Sequence, residues 1–178
     1  SSISEDAKGK IWVGTELGVS VFDPETRTFS RPINPKDISE NILEDPETII
    51  DDTYGNIWVK LSETGKLYKY TAITQRTLCM NCNNNSKLGS LKTTVLFRDH
   101  SNTIWFGSEF GLFSYDPKLD KINKYPLEIG MINSIVDGQE NEIWVGSNNG
   151  LVRVINGPNG NYNIYKKSIS QSSIISNY

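Results

Sequence analysis

The four tryptophans of this 178-residue chain all fall in one recurring segment. Gly9-Lys10-Ile11-Trp12-Val13-Gly14 returns as Gly55-Asn56-Ile57-Trp58-Val59-Lys60, then as Asn102-Thr103-Ile104-Trp105-Phe106-Gly107 and Asn141-Glu142-Ile143-Trp144-Val145-Gly146. Successive tryptophans are 46, 47 and 39 residues apart. A scarce residue held to one register of such a period marks a solenoid, propeller or array, in which no repeat buries its apolar faces alone.

Each unit reads as four short strands. The first is apolar and ends in an acid: Ile3 to Asp6, Ile49 to Asp52, Val95 to Asp99 and Ile132 to Asp137. Three residues before each Trp stands Gly9, Gly55, Asn102 or Asn141, the residue types that accept positive φ, so a left-handed turn residue is predicted in every unit. The second strand is Ile-Trp-Val or Ile-Trp-Phe, followed by a turn containing Gly18, Gly65, Gly111 or Gly150. The third strand ends at Asp23-Pro24 and Asp116-Pro117 in two units, because proline cannot donate to a ladder. A weaker fourth strand covers Arg27-Thr28-Phe29, Thr74 to Leu78, Lys121 to Tyr125 and Tyr162 to Tyr165. No amphipathic helix can be drawn, since Gly, Pro, Asn and β-branched runs interrupt every candidate.

Repeated four-stranded antiparallel units are the sequence form of a β-propeller. The expectation is therefore an all-β propeller over residues 1–178, with blades at about 1–30, 45–79, 92–126 and 131–166 and a lead-in to a following blade at 167–178. The chain opens in mid-pattern, so an excerpt of something longer is expected. Trp12, Trp58, Trp105 and Trp144 become equivalent wedges packed between blades.

Charge and cysteine content narrow the functional classes. With 18 Lys+Arg against 21 Asp+Glu and a net charge of -3, the chain lacks the basic field a nucleic-acid surface needs. It also lacks a polybasic membrane patch, and no apolar run reaches the ~20 residues of a spanning helix. Cys79 and Cys82 have C-x-x-C spacing but lead into a polar loop rather than a helix, and only one histidine and no third cysteine could join them. Thioredoxin-like and zinc chemistry are thereby set aside. A short-loop disulfide and a pair of free thiols remain as the two readings.

The repeats resemble the two-component regulator propeller family. Glu5-Asp6, Gly9, Ile11-Trp12-Val13-Gly14-Thr15, Gly18 and Phe22-Asp23-Pro24 carry the likeness. So do Asp99, Ile104-Trp105, Gly107-Ser108, Gly111-Leu112 and Tyr115-Asp116-Pro117 in the third unit, and Ile143-Trp144-Val145-Gly146-Ser147 and Gly150-Leu151 in the fourth. The second unit departs most, with Lys60 in place of Gly and Thr71-Ala72 in place of Asp-Pro. The resemblance implies the periplasmic sensor of a hybrid two-component histidine kinase. It further implies seven-bladed propellers, an oligosaccharide ligand, a neighbouring propeller and immunoglobulin-like domain, a homodimer, and a membrane segment outside this chain. A closed four-bladed ring is the alternative to a fragment of seven.

No catalytic residue, metal ligand or cofactor is assigned. His100 sits in the turn Asp99-His100-Ser101-Asn102, and no Ser/His/Asp set can be built around it. Glu5, Asp6, Asp51, Asp52, Asp99 and Asp137 recur in register, which fits bonding of turn amides better than a pair of glycosidase carboxylates. The glycines lie at turns and none opens a helix, so a phosphate loop is excluded.

Candidate ligand positions are the tips after the Trp strand: Thr15-Glu16-Leu17, Ser62-Glu63-Thr64, Ser108-Glu109-Phe110 and Ser147-Asn148-Asn149. They vary between fixed Gly and Trp positions, as recognition loops do on a rigid scaffold. Phe110 is suited to stacking on a sugar, and Glu16, Glu63, Glu109, Asn148 and Asn149 to bonding hydroxyls. The links Arg31–Asp45 and Cys79–Leu91 are further loop candidates. Two other functions stay open: a scaffold for dimerisation with no ligand of its own, and a propeller lyase of the kind that opens streptogramins, for which His100 lies in an unfavourable turn.

Overall fold

The computed structural model describes residues 2–33, 45–84, 87–155 and 161–166. The expected lead-in at 167–178, most of the first long link and residues 85–86 of the second lie outside these. The chain divides into two compact units, Ser1–Lys92 and Thr93–Tyr178.

Unit 1 holds β1 (Ile3–Glu5), β2 (Ile11–Thr15), β3 (Gly18–Asp23) and β4 (Thr28–Ser30) in one sheet, and β5 (Pro46–Asp51), β6 (Asn56–Leu61), β7 (Leu67–Thr71) and β8 (Arg76–Cys79) in another. Unit 2 holds β9 (Thr93–Arg98), β10 (Ile104–Ser108), β11 (Gly111–Asp116) and β12 (Lys121–Tyr125), then β13 (Ile132–Asp137), β14 (Glu142–Ser147), β15 (Gly150–Ile155) and β16 (Tyr162–Lys166). All four sheets are antiparallel meanders in sequence order, and no helix occurs among the described residues. This is the blade construction expected from the repeat. The weak fourth strands begin one or two residues later than expected in the first two blades, at Thr28 and Arg76.

Burial follows from stacking. A half-exposed strand alternates, yet β6 and β10 are buried at every position, because a blade interior covers both faces. The outermost strand β4 is exposed throughout. In unit 1 the core joins Trp12, Val19 and Val21 of the first blade to Ile49, Val59 and Tyr70 of the second. The Trp12 and Tyr70 rings lie 5.6 Å apart, and burial raises the Tyr70 phenol pKa above its ordinary value. In unit 2 Trp105 and Leu112 pack with Ile132, Ile135, Val145 and Val152.

The glycine two residues after Trp has a steric cause. A Cβ on Gly107 would stand 2.6 Å from Ile132 Cγ2 and 2.8 Å from Val95 Cγ1, while one on Gly14 would stand 2.7 Å from Pro46 Cγ. The first strand of the next blade thus lies directly on the bare backbone. Gly146 faces only the hydroxyl of Ser134, at 2.5 Å from such a Cβ, and Ser134 is exposed. Gly107→Ala is expected to cost about 1–3 kcal/mol through overpacking against branched side chains. Gly146→Ala should cost less, because the serine can rotate away; urea unfolding of both variants checks the difference. In the second blade Lys60 replaces this glycine; it is 3% exposed and pairs with Glu47.

Candidate functional site

The turn that carries the candidate residues is built the same way in three blades. Thr15, Ser108 and Ser147 follow the repeat glycine, and each hydroxyl closes a two-residue tip. Thr15 Oγ1 donates to the Gly18 carbonyl (3.1 Å) and accepts from Leu17 N (3.2 Å). Ser108 Oγ does so with Gly111 O (3.3 Å) and Phe110 N (3.0 Å), and Ser147 Oγ with Gly150 O (2.9 Å) and Asn149 N (3.3 Å). The glycine after the tip absorbs the left-handed geometry, with φ of 107° at Gly18, 126° at Gly111 and 144° at Gly150. The tip residues themselves keep negative φ, so any L-residue fits there. This explains why Glu16-Leu17, Glu109-Phe110 and Asn148-Asn149 differ on an unchanged frame.

All six candidates are exposed, Phe110 at 62%. In unit 2, Asn148 and Asn149 are drawn onto the link that precedes β13. Asn148 N donates to Met131 O (3.0 Å), Asn133 Nδ2 donates to Asn148 Oδ1 (2.7 Å), and the Asn149 amide lies over Gly130, whose φ is +73°. Glu109 and Phe110 project from the neighbouring tip of the same unit. Asn133 and Met131, which is 38% exposed, escaped sequence reasoning; an Asn beside the buried Ile132 at the start of β13 was the available signal.

In unit 1, Glu16 and Glu63 occupy separate tips. The Glu63 tip is one residue longer, Gly65 following Trp58 by seven where the other glycines follow by six, and Leu61 takes the place of the clamping hydroxyl. Asn81 compensates: its Oδ1 accepts from Leu67 N (2.7 Å), and its Nδ2 donates to Gly65 O (2.9 Å) and Leu91 O (2.6 Å). Asn81 lies inside the ring closed by the Cys79–Cys82 disulfide, which resolves the two readings of the cysteines. The bridge holds the chain where Asn81 can staple the Glu63 turn.

The opposite ends of the sheets carry the acids. Asp6 Oδ1 accepts from Lys8 N (2.9 Å) and Lys10 N (3.0 Å), and Oδ2 from Trp12 Nε1 (2.8 Å). Asp52 accepts from Tyr54 N, Asn56 N, Asn56 Nδ2 and Trp58 Nε1 at 2.7–3.3 Å. Asp99 accepts from Thr103 N (2.8 Å) and Trp105 Nε1 (2.7 Å). These acids are structural, fixing both turn and indole, and the predicted left-handed residues Gly9, Gly55, Asn102 and Asn141 all have positive φ.

Asp137 is out of register and corrects the expectation. Six residues before Trp144 stands Gly138, where a Cβ would lie 3.2 Å from Trp144 Nε1 and 2.9 Å from Glu142 Cβ. The indole has settled against the turn backbone, in the space an aspartate would use. Asp137 ends β13 instead. Its Oδ1 accepts from His100 N (3.0 Å) and stands 3.0 Å from His100 Nδ1. The two turns enclose a cleft of about 240 Å³ lined by Asp99, His100, Ser101 and residues 137–142. Ser101 Oγ is bonded to Asn141 Oδ1 (3.4 Å), so the serine that lines this cleft among the described residues is engaged by Asn141 rather than by His100. The pair ties two blades of unit 2 together. Among the described residues no cluster of three His, Cys, Asp or Glu side chains could hold a metal ion.

Two surface ion pairs complete the frame. Lys10 Nζ bonds Asp23 (3.1 Å) and lowers that carboxyl's pKa. Arg153 bonds Glu142, holding Glu142 below and Arg153 above its ordinary pKa. A depressed carboxyl pKa contributes stability that is complete above the unfolded value of about 4.5 and vanishes as pH falls through the folded value. Glu142→Gln is therefore expected to flatten the stability-against-pH curve below about pH 4.5 and leave its slope near neutrality unchanged, as read by thermal melts.

No family model matches the sequence, and no curated protein matches it. Solved structures do. The extracellular domains of two hybrid two-component systems of B. thetaiotaomicron superpose with TM-scores of 0.62 and 0.63 at 18% and 20% identity, over 97% of this chain. The match spans 23% and 22% of their own lengths, less than a quarter of each. A catalytically inactive virginiamycin B lyase from Staphylococcus aureus superposes with a TM-score of 0.60 at 16% identity, over 96% of this chain and 56% of the lyase. At such identities the likeness establishes the fold: the four sheets are propeller blades.

Proposed function

We propose that this chain is a non-catalytic, extracytoplasmic recognition module of a hybrid two-component sensor, taking an oligosaccharide on its hairpin tips. The observation that carries the reading is the clamped turn: a fixed frame of hydroxyl and left-handed glycine holds freely variable, exposed tips, one of them capped by Phe110. The structural likeness to extracellular sensor domains supports the setting. Phe110 offers a flat apolar face to a pyranose ring, and the Asn148 and Asn149 amides offer both donors and acceptors to its hydroxyls. Ligand binding then favours one arrangement of the receptor's domains, and the shift passes through a membrane segment outside this chain to a histidine kinase, with the receptor acting as a homodimer. A periplasmic location follows from the same reading.

Calorimetric titration of the intact protein with mixed plant and host oligosaccharides tests it. Saturable binding is expected, weakened about tenfold or more by Phe110→Ala, in line with the roughly 1.5–3 kcal/mol gained by withdrawing a phenylalanine side chain from water. Heatless titrations across the panel would contradict the reading.

The His100–Asp137 pair favours a second reading, a lyase-like enzyme, because a carboxylate orients the imidazole. It requires turnover of a cyclic depsipeptide that is lost in His100→Ala; binding at the tips that is unchanged in His100→Ala speaks against it.

A further inference from the structure

We infer that the Cys79–Cys82 bridge is a redox-sensitive latch on the Glu63 tip of unit 1. Closed, it seats Asn81 against the turn. Opened by an external dithiol, it loosens the tip and the adjoining link while the blade stays folded. The inference holds whatever ligand the tips take.

The Glu63 tip differs from the other three in where its clamp comes from. Thr15, Ser108 and Ser147 clamp their own turns, whereas Gly65 is held by a side chain 16 residues away. β8 ends at Cys79, and the ladder continues by other means. Met80 N donates to Leu67 O (2.8 Å), and Leu67 N donates to Asn81 Oδ1 (2.7 Å). The Asn81 amide also donates to Gly65 O and Leu91 O. One side chain thus joins the turn, the strand that follows it and the far end of the link. It sits between two cysteines whose Cα atoms the bridge holds 5.7 Å apart.

The bridge is poorly suited to holding the fold as a whole, because closing a short loop removes less chain entropy than closing a long one. Met80 is fully buried beside it, and the tip keeps bonds of its own, Leu61 N to Lys66 O (3.0 Å) and Lys66 N to Thr64 Oγ1 (3.2 Å). Both cysteines are only partly buried, which leaves the sulfurs open to thiol–disulfide exchange. The Tyr68 hydroxyl lies 3.7 Å from Cys82 Sγ and can donate to it, so Cys82 is the better leaving group. The reductant's thiolate bonds to Cys79 Sγ, the S–S bond breaks, and Cys82 departs as a thiolate that takes up a proton. The reductant's second thiol then displaces Cys79. Two electrons and two protons have passed to the protein, and the reductant is left as a disulfide. Once the ring is open the backbone at Asn81 is no longer fixed, and its bonds to the turn open more often.

Hydrogen exchange of the Leu67 amide, followed by NMR on the intact protein with and without dithiothreitol, tests the latch. Dithiothreitol is expected to open the bridge without denaturant, shown by iodoacetamide labelling of both Cys79 and Cys82. Leu67 exchange should then rise about tenfold or more and return on reoxidation with oxidised glutathione. The amide shifts of Leu17 and Phe110, set by hydroxyl clamps within their own turns, should not move. Asn81→Ala should raise Leu67 exchange in the oxidised protein at least to the level of the reduced one. A Cys79→Ser, Cys82→Ser double variant should hold that level with or without reductant. The wild-type comparison needs neither variant. Leu67 protection that is equal in the oxidised and reduced protein would overturn the inference. So would a bridge that opens only in denaturant, or a reduction that unfolds the whole of unit 1.

Discussion

Asp52→Ala is expected to destabilise unit 1 by about 3–5 kcal/mol, the range for stripping a buried charged acceptor from its donors. Asp52 is fully buried and accepts four hydrogen bonds, among them those of the Asn56 side chain and the Trp58 indole. Alanine removes the acceptor and leaves these donors inside the blade. Against a total stability of about 5–15 kcal/mol the loss is severe, on the order of a ten-degree fall in Tm for a chain of this size. Asp52→Asn keeps one oxygen acceptor and should cost about 1–2 kcal/mol. Asp6→Ala should cost less than Asp52→Ala, because Asp6 is half-buried and water can replace the carboxylate. Denaturant unfolding of the three variants ranks them. Equal losses for Asp6→Ala and Asp52→Ala would show that burial does not set the cost.

The second large effect separates two tryptophans that the sequence makes look alike. Trp105 is fully buried, its Nε1 bonded to Asp99 Oδ2 at 2.7 Å and its ring 5.1 Å from Tyr125. Trp105→Ala opens a large cavity and strands the buried Asp99, for a loss of about 3–5 kcal/mol or more. Trp144 is only half-buried; it leans on Tyr165 at 5.7 Å, and Gly138 offers no carboxylate. Trp144→Ala should cost about 1–2 kcal/mol, in proportion to the smaller area withdrawn from water. Urea titrations of both variants measure the gap, and losses of the same size would mean that the fourth wedge is as firmly seated as the third.

Much of the fold was legible because blade stacking repeats its demands. The Ile-Trp strands and left-handed Gly9, Gly55, Asn102 and Asn141 each answer a steric or hydrogen-bonding need that recurs in every unit, and the strand ends at Asp23 and Asp116 one that recurs in two. Sequence spacing also showed where the tips lie. It did not show why they vary freely, which depends on the Thr15, Ser108 and Ser147 hydroxyls closing the turn and on glycine taking the strain one residue later. Positive φ at Arg27, Gln75 and Asp120 was invisible for a different reason: the residue types there have nothing in common, and only the hairpin between third and fourth strands imposes the conformation.

The misread position is as informative. Asp137 lies one residue from the slot that Asp6, Asp52 and Asp99 fill, and reading acids by neighbourhood rather than by distance from Trp placed it with them. Counting back from the indole separates it, because the indole nitrogen is what the carboxylate answers to. Contacts between segments far apart in sequence stayed out of reach. His100 with Asp137, Asn133 with Asn148 and the Asn81 staple join residues through the packing of blades and links.

A ¹H–¹⁵N spectrum of the indole groups, with exchange into deuterated water, is the most direct test of the repeated wedge. Three slowly exchanging Nε1–H signals are expected, each displaced singly by Asp6→Asn, Asp52→Asn or Asp99→Asn, and a fourth, from Trp144, that exchanges quickly and responds to none of them. Four signals that exchange alike, or three that ignore the aspartate variants, would contradict it.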